Sequence, residues 1–442
     1  MSQNLVICGN FVHATNTEYM IVKEGYCIGV KEGKILFFEP KDRLEECIKN
    51  HQLEACEIIR LNPFQFLMPG MIDTHIHASQ YPNAGKGLDL GLLEWLNKYT
   101  FPTESRFKDS QLASDVYSKV VSNTLRNGTT TACYFATIHT DSSSLLCDQV
   151  AKHGQRALVG KVNMDQNSPD FYVEKSDDSL AETKRFVEDV LKRKNPRVQP
   201  VITPRFAPSC TVGLMQELGK LAKENNLHIQ THISETLDEC EWVKALFPEA
   251  KDYVDIYDQA GLLTSKTVLA HGIYLSGRER KVIKERGSSI SHCPNSNLSL
   301  RSGLLDVQQV LKDGVRIGLG TDVSGGYSPS LLDGIRTAIH VSNTLAIYNK
   351  EYKPITHSEA FMMATLGGAK ALAMEDTIGN FEVGKEFDAL TVNINAPGSH
   401  IDGFDDDGVS DYIQKFLYLG DSRNIEEVYV AGKKVIPVTD AQ

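Results

Sequence analysis

His75 and His77 stand two residues apart in the run Met68-Pro-Gly-Met-Ile-Asp-Thr-His75-Ile-His77. On a strand, residues i and i+2 project from one face, so both imidazoles leave the chain together. Paired imidazoles suit a divalent transition metal, zinc foremost. Alone, an H-x-H on a half-exposed strand is more often chemically silent. Three further stretches outweigh that reading: His228-Ile-Gln-Thr-His232-Ile-Ser-Glu235, Val268-Leu-Ala-His271 and Gly318-Leu-Gly-Thr-Asp322. Each places a histidine or aspartate just after an apolar, strand-like run, as does Ser291-His292-Cys293-Pro294-Asn295. Several imidazoles and one carboxylate brought together make a site for zinc or iron. Glu235, three residues past His232, has the chemistry of a proton shuttle. The bland alternative for it is an acid favoured at a helix start.

The elements that must position these groups alternate along the chain. Strand candidates are Phe66–Thr74, Thr129–Phe135, Ala157–Met164, Val198–Thr203, His228–Ile233, Thr267–His271, Ser288–His292 and Val315–Thr321. Helix-compatible segments follow them, among them Leu112–Arg126, Ser179–Lys194, Gly213–Asn225, Leu237–Phe247, Arg278–Arg286 and Val307–Lys312. Eight such units predict a closed (β/α)8 barrel of the α/β class, whose C-terminal strand ends gather at one mouth. The histidines, Glu235 and Asp322 all fall at those ends.

The chain has 442 residues, more than such a barrel needs. Both ends read as short strands: Leu5–Cys8, Cys27–Val30, Lys34–Phe38 and Glu57–Leu61 at one, Ala389–Asn393, Glu427–Val430 and Lys434–Pro437 at the other. Lys31 to Lys34 reads as a hairpin turn, residues 40–55 as charged and helical, and Asp402 to Asp411 as an acidic loop. The expected organisation is a small β-sandwich built from residues 1–65 and 376–442 around a barrel of 66–375. A net charge of −11 argues against a general nucleic-acid binder. The short basic clusters at Lys192–Lys194 and Arg278–Lys281 are expected to be solvated faces. Nine cysteines without a C-x-x-C predict reduced thiols in a cytoplasmic protein. Met1 to Val12 lacks the pattern of a signal peptide. No run of ~18 apolar residues is present to span a membrane.

Pro69-Gly-Met-Ile-Asp-Thr-His75-Ile-His77, His232-Ile-Ser-Glu235, His271, His292-Cys-Pro-Asn-Ser-Asn297 and Gly320-Thr-Asp322 follow, in order, the motif series of the metal-dependent amidohydrolases. The chain resembles that family over nearly its whole length. The segments Asp73 to Tyr81, Gly128 to Thr137 and Asp322 to Tyr327 are most similar to members acting on guanine. The resemblance implies one zinc per chain held by His75, His77, His232 and Asp322, with His271 beside the activated water. It implies Glu235, His271 and Asp322 as the catalytic groups for hydrolytic deamination of guanine to xanthine. It also implies a homodimer. Arg205 resembles the residue that reads the O6/N7 edge of guanine, a pair matched by the arginine fork. Phe206 is suited to stack on the base, and Gln80 offers a donor and an acceptor. His232, Glu235 and Asp322 would complete the substrate contacts.

Other readings keep some weight: a deaminase of adenine, cytosine or adenosyl compounds, a two-metal cyclic-amide hydrolase, or a non-catalytic scaffold. The two-metal enzymes bridge their ions with a modified lysine, most often on the fourth strand. Val198 to Pro204 has none, although Lys161 lies on the third. A scaffold relative would be expected to have lost metal ligands.

Overall fold

The computed structural model describes residues 4–437. Met1–Gln3 and Val438–Gln442, including the Thr439–Gln442 terminus, lie outside that range. In chain order the first strands are β1 (Leu5–His13), β2 (Ile21–Lys31), β3 (Lys34–Pro40), β4 (Glu57–Arg60) and β5 (Gln65–Pro69). There follow β6 (Met71–His77), β7 (Thr129–Phe135), β8 (Arg156–Gly160), β9 (Val162–Asn163), β10 (Val198–Pro204) and β11 (His228–Ile233). The last are β12 (Thr267–His271), β13 (Ser289–His292), β14 (Arg316–Leu319), β15 (Ala389–Asn393), β16 (Ile425–Val430) and β17 (Lys433–Ile436).

Strands from both chain ends form one sheet in the order β17-β16-β15-β5-β1-β2-β3. It branches at β1, which pairs with β4 through Leu5–Cys8 and with β5 at Asn10 and Phe11. Alternation along β1 dictates the packing. Leu5 and Ile7 join Phe381, Phe387 and Tyr429 on one face; Val6 and Cys8 join Cys27, Phe37 and Cys47 on the other.

The second sheet is parallel, ordered β6-β7-β8-β10-β11-β12-β13-β14, with β9 paired to β10. Strands such as β7, Thr-Thr-Thr-Ala-Cys-Tyr-Phe, are buried along their whole length, as expected where helices cover the outer face. Ile72, Cys133, Leu158, Val201 and Val268 point inward from five strands and meet Ala369 and Leu372, which plug the barrel bottom. Just past β14 the barrel closes on β6: Asp322 N donates to His75 O at 2.9 Å, and His77 N to Val323 O at 3.0 Å.

Three expectations need correction, and one segment was not anticipated. Phe66–Thr74 is two strands, so the boundary expected at 65/66 falls inside β5. The break is Gly70, where a Cβ would sit 2.1 Å from Thr130 Oγ1. Its N–H bonds Asp388 O, just before β15 of the end sheet, and the next residue's N–H bonds Gly128 O, just before β7 of the barrel. Ala157–Met164 breaks at Lys161 into β8 and β9. The Asp402–Asp411 loop stops short, because a helix occupies Val409–Leu419. Between β6 and the helix Ser110–Arg126, the chain forms helical turns over Leu92–Ser105 that hydrophobic periodicity did not suggest. The basic clusters do lie on outer helix faces: Arg193 pairs with Asp148 and Asp189, and Arg278 with Asp252.

Candidate active site

The histidines of β6 reach the barrel mouth through a bulge. Asp73 pairs with Ala132 and Ile76 with Tyr134, so β6 uses one residue more than β7 between these points. An extra residue reverses the side-chain phase. Ile72 faces the interior lower down, Ile76 packs outward on the helices, and His75 and His77 still face the cavity. Asp73, fully buried, braces the bulge: its carboxylate accepts Thr321 N at 3.0 Å, Thr321 Oγ1 at 2.5 Å and His75 N at 3.2 Å.

His75 Nε2 and His77 Nε2 lie 3.3 and 3.4 Å from Asp322 Oδ1. His77 Nε2 is 3.1 Å from His232 Nε2. His232 Nδ1 donates to Arg205 O at 2.6 Å, which leaves its Nε2 as a bare acceptor toward the cavity. A cation seated between His77 Nε2 and His232 Nε2 would take the lone pairs of both. His75 Nε2 has no hydrogen-bond partner. Burial and the neighbouring histidines depress His77 and His232, and burial depresses His75, so neutral imidazoles prevail. Burial alone would raise Asp322, but the adjacent imidazoles of His75, His271 and His77 hold it well below the usual carboxylate range. Neutral imidazoles with an ionised carboxylate are the forms that ligate a metal. The donor set therefore fits a divalent ion. Two overlapping groups, His75–His77–Asp322 and His75–His232–His271, bring their ligand atoms within 4.8 Å of one another.

His271 ends β12 in left-handed backbone, φ 71°, and Asp322 follows β14 at φ 46°. Such strain in non-glycine residues concentrates at functional sites. Asn297 Oδ1 accepts from His271 Nδ1 at 2.8 Å. That bond turns His271 Nε2 toward Glu235 Oε2 at 3.4 Å and Asp322 Oδ2 at 3.7 Å. Burial opposes charge on His271, but these two carboxylates win and raise its pKa. Burial pushes Glu235 up to about 7, and its Oε1 accepts Ser302 Oγ at 2.9 Å. Arg205, Phe206 and Gln80 line the same cavity, walled by Leu92, Trp95, Leu96 and Leu300.

Over residues 66–435 the chain matches the amidohydrolase family. The chain belongs to the amidohydrolase family. It is 56% identical over 444 residues to a guanine deaminase of Mus musculus, spanning 99% of this chain and 98% of that one. A guanine deaminase of Escherichia coli (strain K12) is 34% identical over 438 residues, 97% of this chain and 96% of its own. The crystal structure of a guanine deaminase from C. acetobutylicum with bound guanine in the active site aligns with a TM-score of 0.89 at 37% identity. That alignment covers 98% of this chain and 100% of the other.

In this amidohydrolase, Lys161 is not in the cavity. Its amine contacts Glu174 and Ser179, outside the barrel wall. His292 is buried behind the mouth, with neither ring nitrogen hydrogen-bonded. Its motif contributes Asn297 instead. Sequence reasoning missed Glu104, a carboxylate with no exposure that contacts both Arg205 and Gln80. It also missed Glu239, which lines the cavity and caps the Glu235 N–H at 2.7 Å. The capping box Thr236-x-x-Glu239 was a signal that could have found the second. No local pattern marks the first.

Proposed function

We propose that this amidohydrolase is a guanine deaminase, converting guanine and water to xanthine and ammonia. The observation that carries the reading is convergence: His77, His232, Asp322, Glu235, Arg205 and Gln80 line one cavity. A single Zn²⁺ would be held by His75, His77, His232 and Asp322; when bound, it supplies a water acidified toward neutrality. Arg205 presents N–H donors to the O6 and N7 acceptors of guanine. Adenine carries an amine where guanine has O6, so donors would face donors. Phe206 flanks the ring plane, and Gln80 takes the remaining polar edge.

Attack of water on the amine-bearing carbon requires proton traffic that the side chains are placed to handle. Glu235, with a pKa near 7, takes one proton and delivers it to the adjacent ring nitrogen. Asp322 Oδ2 and His271 Nε2 lie on the route of the second proton, which leaves with the ammonia once the C–N bond breaks. Placement of Lys161 outside the cavity disfavours the two-metal reading.

The reading includes a homodimer in a reducing, cytoplasmic setting. All nine cysteines are unpaired, which suits the latter. Ile347 and Tyr348, 75% and 85% exposed at the end of the helix Leu331–Tyr348, give apolar surface for the former. Among the described residues no helix is long and apolar enough to cross a membrane. The test is ammonia release from guanine, adenine and cytosine by purified protein, alongside metal analysis. Fast turnover of guanine alone, with about one zinc per chain, is expected. Comparable rates on adenine would overturn the assignment.

A further inference from the structure

Glu104 lies in the helix Phe101–Ser105, and every lone pair of its carboxylate is in use. Oε1 accepts Gln80 Nε2 at 2.8 Å and Arg205 Nη2 at 3.2 Å. Oε2 accepts Arg205 Nη1 and the Tyr172 hydroxyl, each at 2.8 Å. A carboxylate offers about four acceptor sites, so none is left for a ligand. Glu104 acts on the cavity only through the groups it holds.

We propose that Glu104 is a positioning residue that sets substrate choice. It fixes the donor pattern of Arg205 and Gln80, and it cancels the arginine's charge so that the cavity takes a neutral purine in preference to an anion. The proposal rests on the guanine deaminase reading. Arg205 meets Glu104 end-on, through both terminal nitrogens, with the guanidinium carbon 5.2 Å from the centre of the Phe101 ring. That leaves Nε–H and the outward terminal N–H as a two-donor edge. Because a carboxylate only accepts, the amide nitrogen of Gln80 must face Glu104. Its oxygen then accepts Ser324 N at 3.3 Å, leaving one N–H and one lone pair for the substrate. The Gln80 amide orientation is thus set by its surroundings.

The charge matters as much as the geometry. Arg205 is buried, 3% exposed, and alone it would draw anions strongly in a low-dielectric cavity. Deamination replaces an amine by an oxo group, and the resulting oxopurine loses a ring proton more readily than guanine. An unpaired arginine would retain that product anion; the neutral Arg205–Glu104 pair does not.

The test compares wild type, Glu104→Gln, Glu104→Asp and the double variant Glu104→Gln/Arg205→Gln against Arg205→Gln. Guanine is the substrate, and xanthine is the inhibitor at pH values below and above its ionisation. Glu104→Gln should lose ~10²-fold in kcat/KM, the scale of misplaced binding groups. It should also bind the xanthine anion roughly ten-fold tighter than wild type while binding neutral xanthine no better. Glu104→Asp, which keeps the charge, should lose kcat/KM without that gain in anion affinity. Adding Glu104→Gln to Arg205→Gln should cost no more than about three-fold further, since interacting residues are non-additive. An additive loss, or a Glu104→Gln enzyme whose xanthine inhibition matches wild type at every pH, overturns the proposal. Should Glu104→Gln not fold, the aspartate and double variants still decide it. A wild type that fails to deaminate guanine would instead refute the underlying reading.

Discussion

Glu235 shows what burial does to one carboxylate. Removed from water, it is pushed up to about 7, so near neutral pH it can both hold and release a proton. Glu235→Gln keeps the shape and loses that capacity. It should retain metal and lose ~10²–10⁴-fold in kcat, measured by ammonia release beside metal analysis; activity above about a tenth of wild type would remove the shuttle role. The proposed metal ligands should fail differently. His232→Ala and Asp322→Ala should lower bound metal as well as rate, read by titration with a zinc chelator, and full occupancy at wild-type affinity in either would remove that residue from the ligand set. At this scale the sequence was informative where chemistry sits on regular elements. His75, His77, His232, His271 and Asp322 each follow an apolar run, so their spacing announced them. Glu104 sits in an irregular insertion and meets Arg205 101 residues away. Its buried partners are set only by tertiary contact, and on paper it looks like any helical acid.

The strands carry devices that periodicity alone cannot show. The i, i+2 rule paired His75 with His77, but their common phase with the cavity depends on the β6 bulge. An apolar run from Phe66 reads the same whether or not it changes sheets, so the break at Gly70 was illegible without its neighbours. β11 contributes a second histidine, His228, at its lower end. Its Nε2 lies 2.9 Å from Leu372 O, and burial lowers its pKa to about 4. The unfolded chain binds a proton there near pH 6.5, while the folded chain resists doing so. The stabilisation is therefore complete above about pH 6.5 and is lost as pH falls toward 4, by ~2 kcal/mol on reaching pH 5. His228→Gln retains an amide donor and does not titrate. Its melting temperature should fall less than that of wild type between pH 7 and pH 5; parallel declines would show that His228 contributes nothing to acid sensitivity.

Across the whole molecule, barrel and end sheet are joined by charge as well as by chain. Arg156 on β8 is buried against Glu386 at 2.6 Å and Asp388 at 3.2 Å, and Asp388 also accepts Ala431 N at 2.7 Å. Arg156→Ala leaves a buried aspartate without its cation, and should cost ~3–5 kcal/mol, read as a lower calorimetric melting temperature; a change under about 1 kcal/mol would show the junction to be solvated. The strand-rich composition of both ends made a shared β domain an expectation, but only tertiary contact shows that they meet in one sheet and through Arg156. The closing seam of the barrel also bears on how the protein is made. Asp73 and Thr321, which brace it, are 248 residues apart in the chain, and His75 and Asp322 are their near neighbours. A ribosome releases the two histidines of β6 long before it reaches Asp322, the carboxylate proposed to complete their set. The nascent chain thus offers the ion only a partial, weak grip until the last barrel strand emerges, and β5 must wait longer still for β15. Tight metal uptake is accordingly expected to be a late, post-assembly event, and ribosome-bound chains arrested before Arg316 should exchange a divalent metal freely with a chelator.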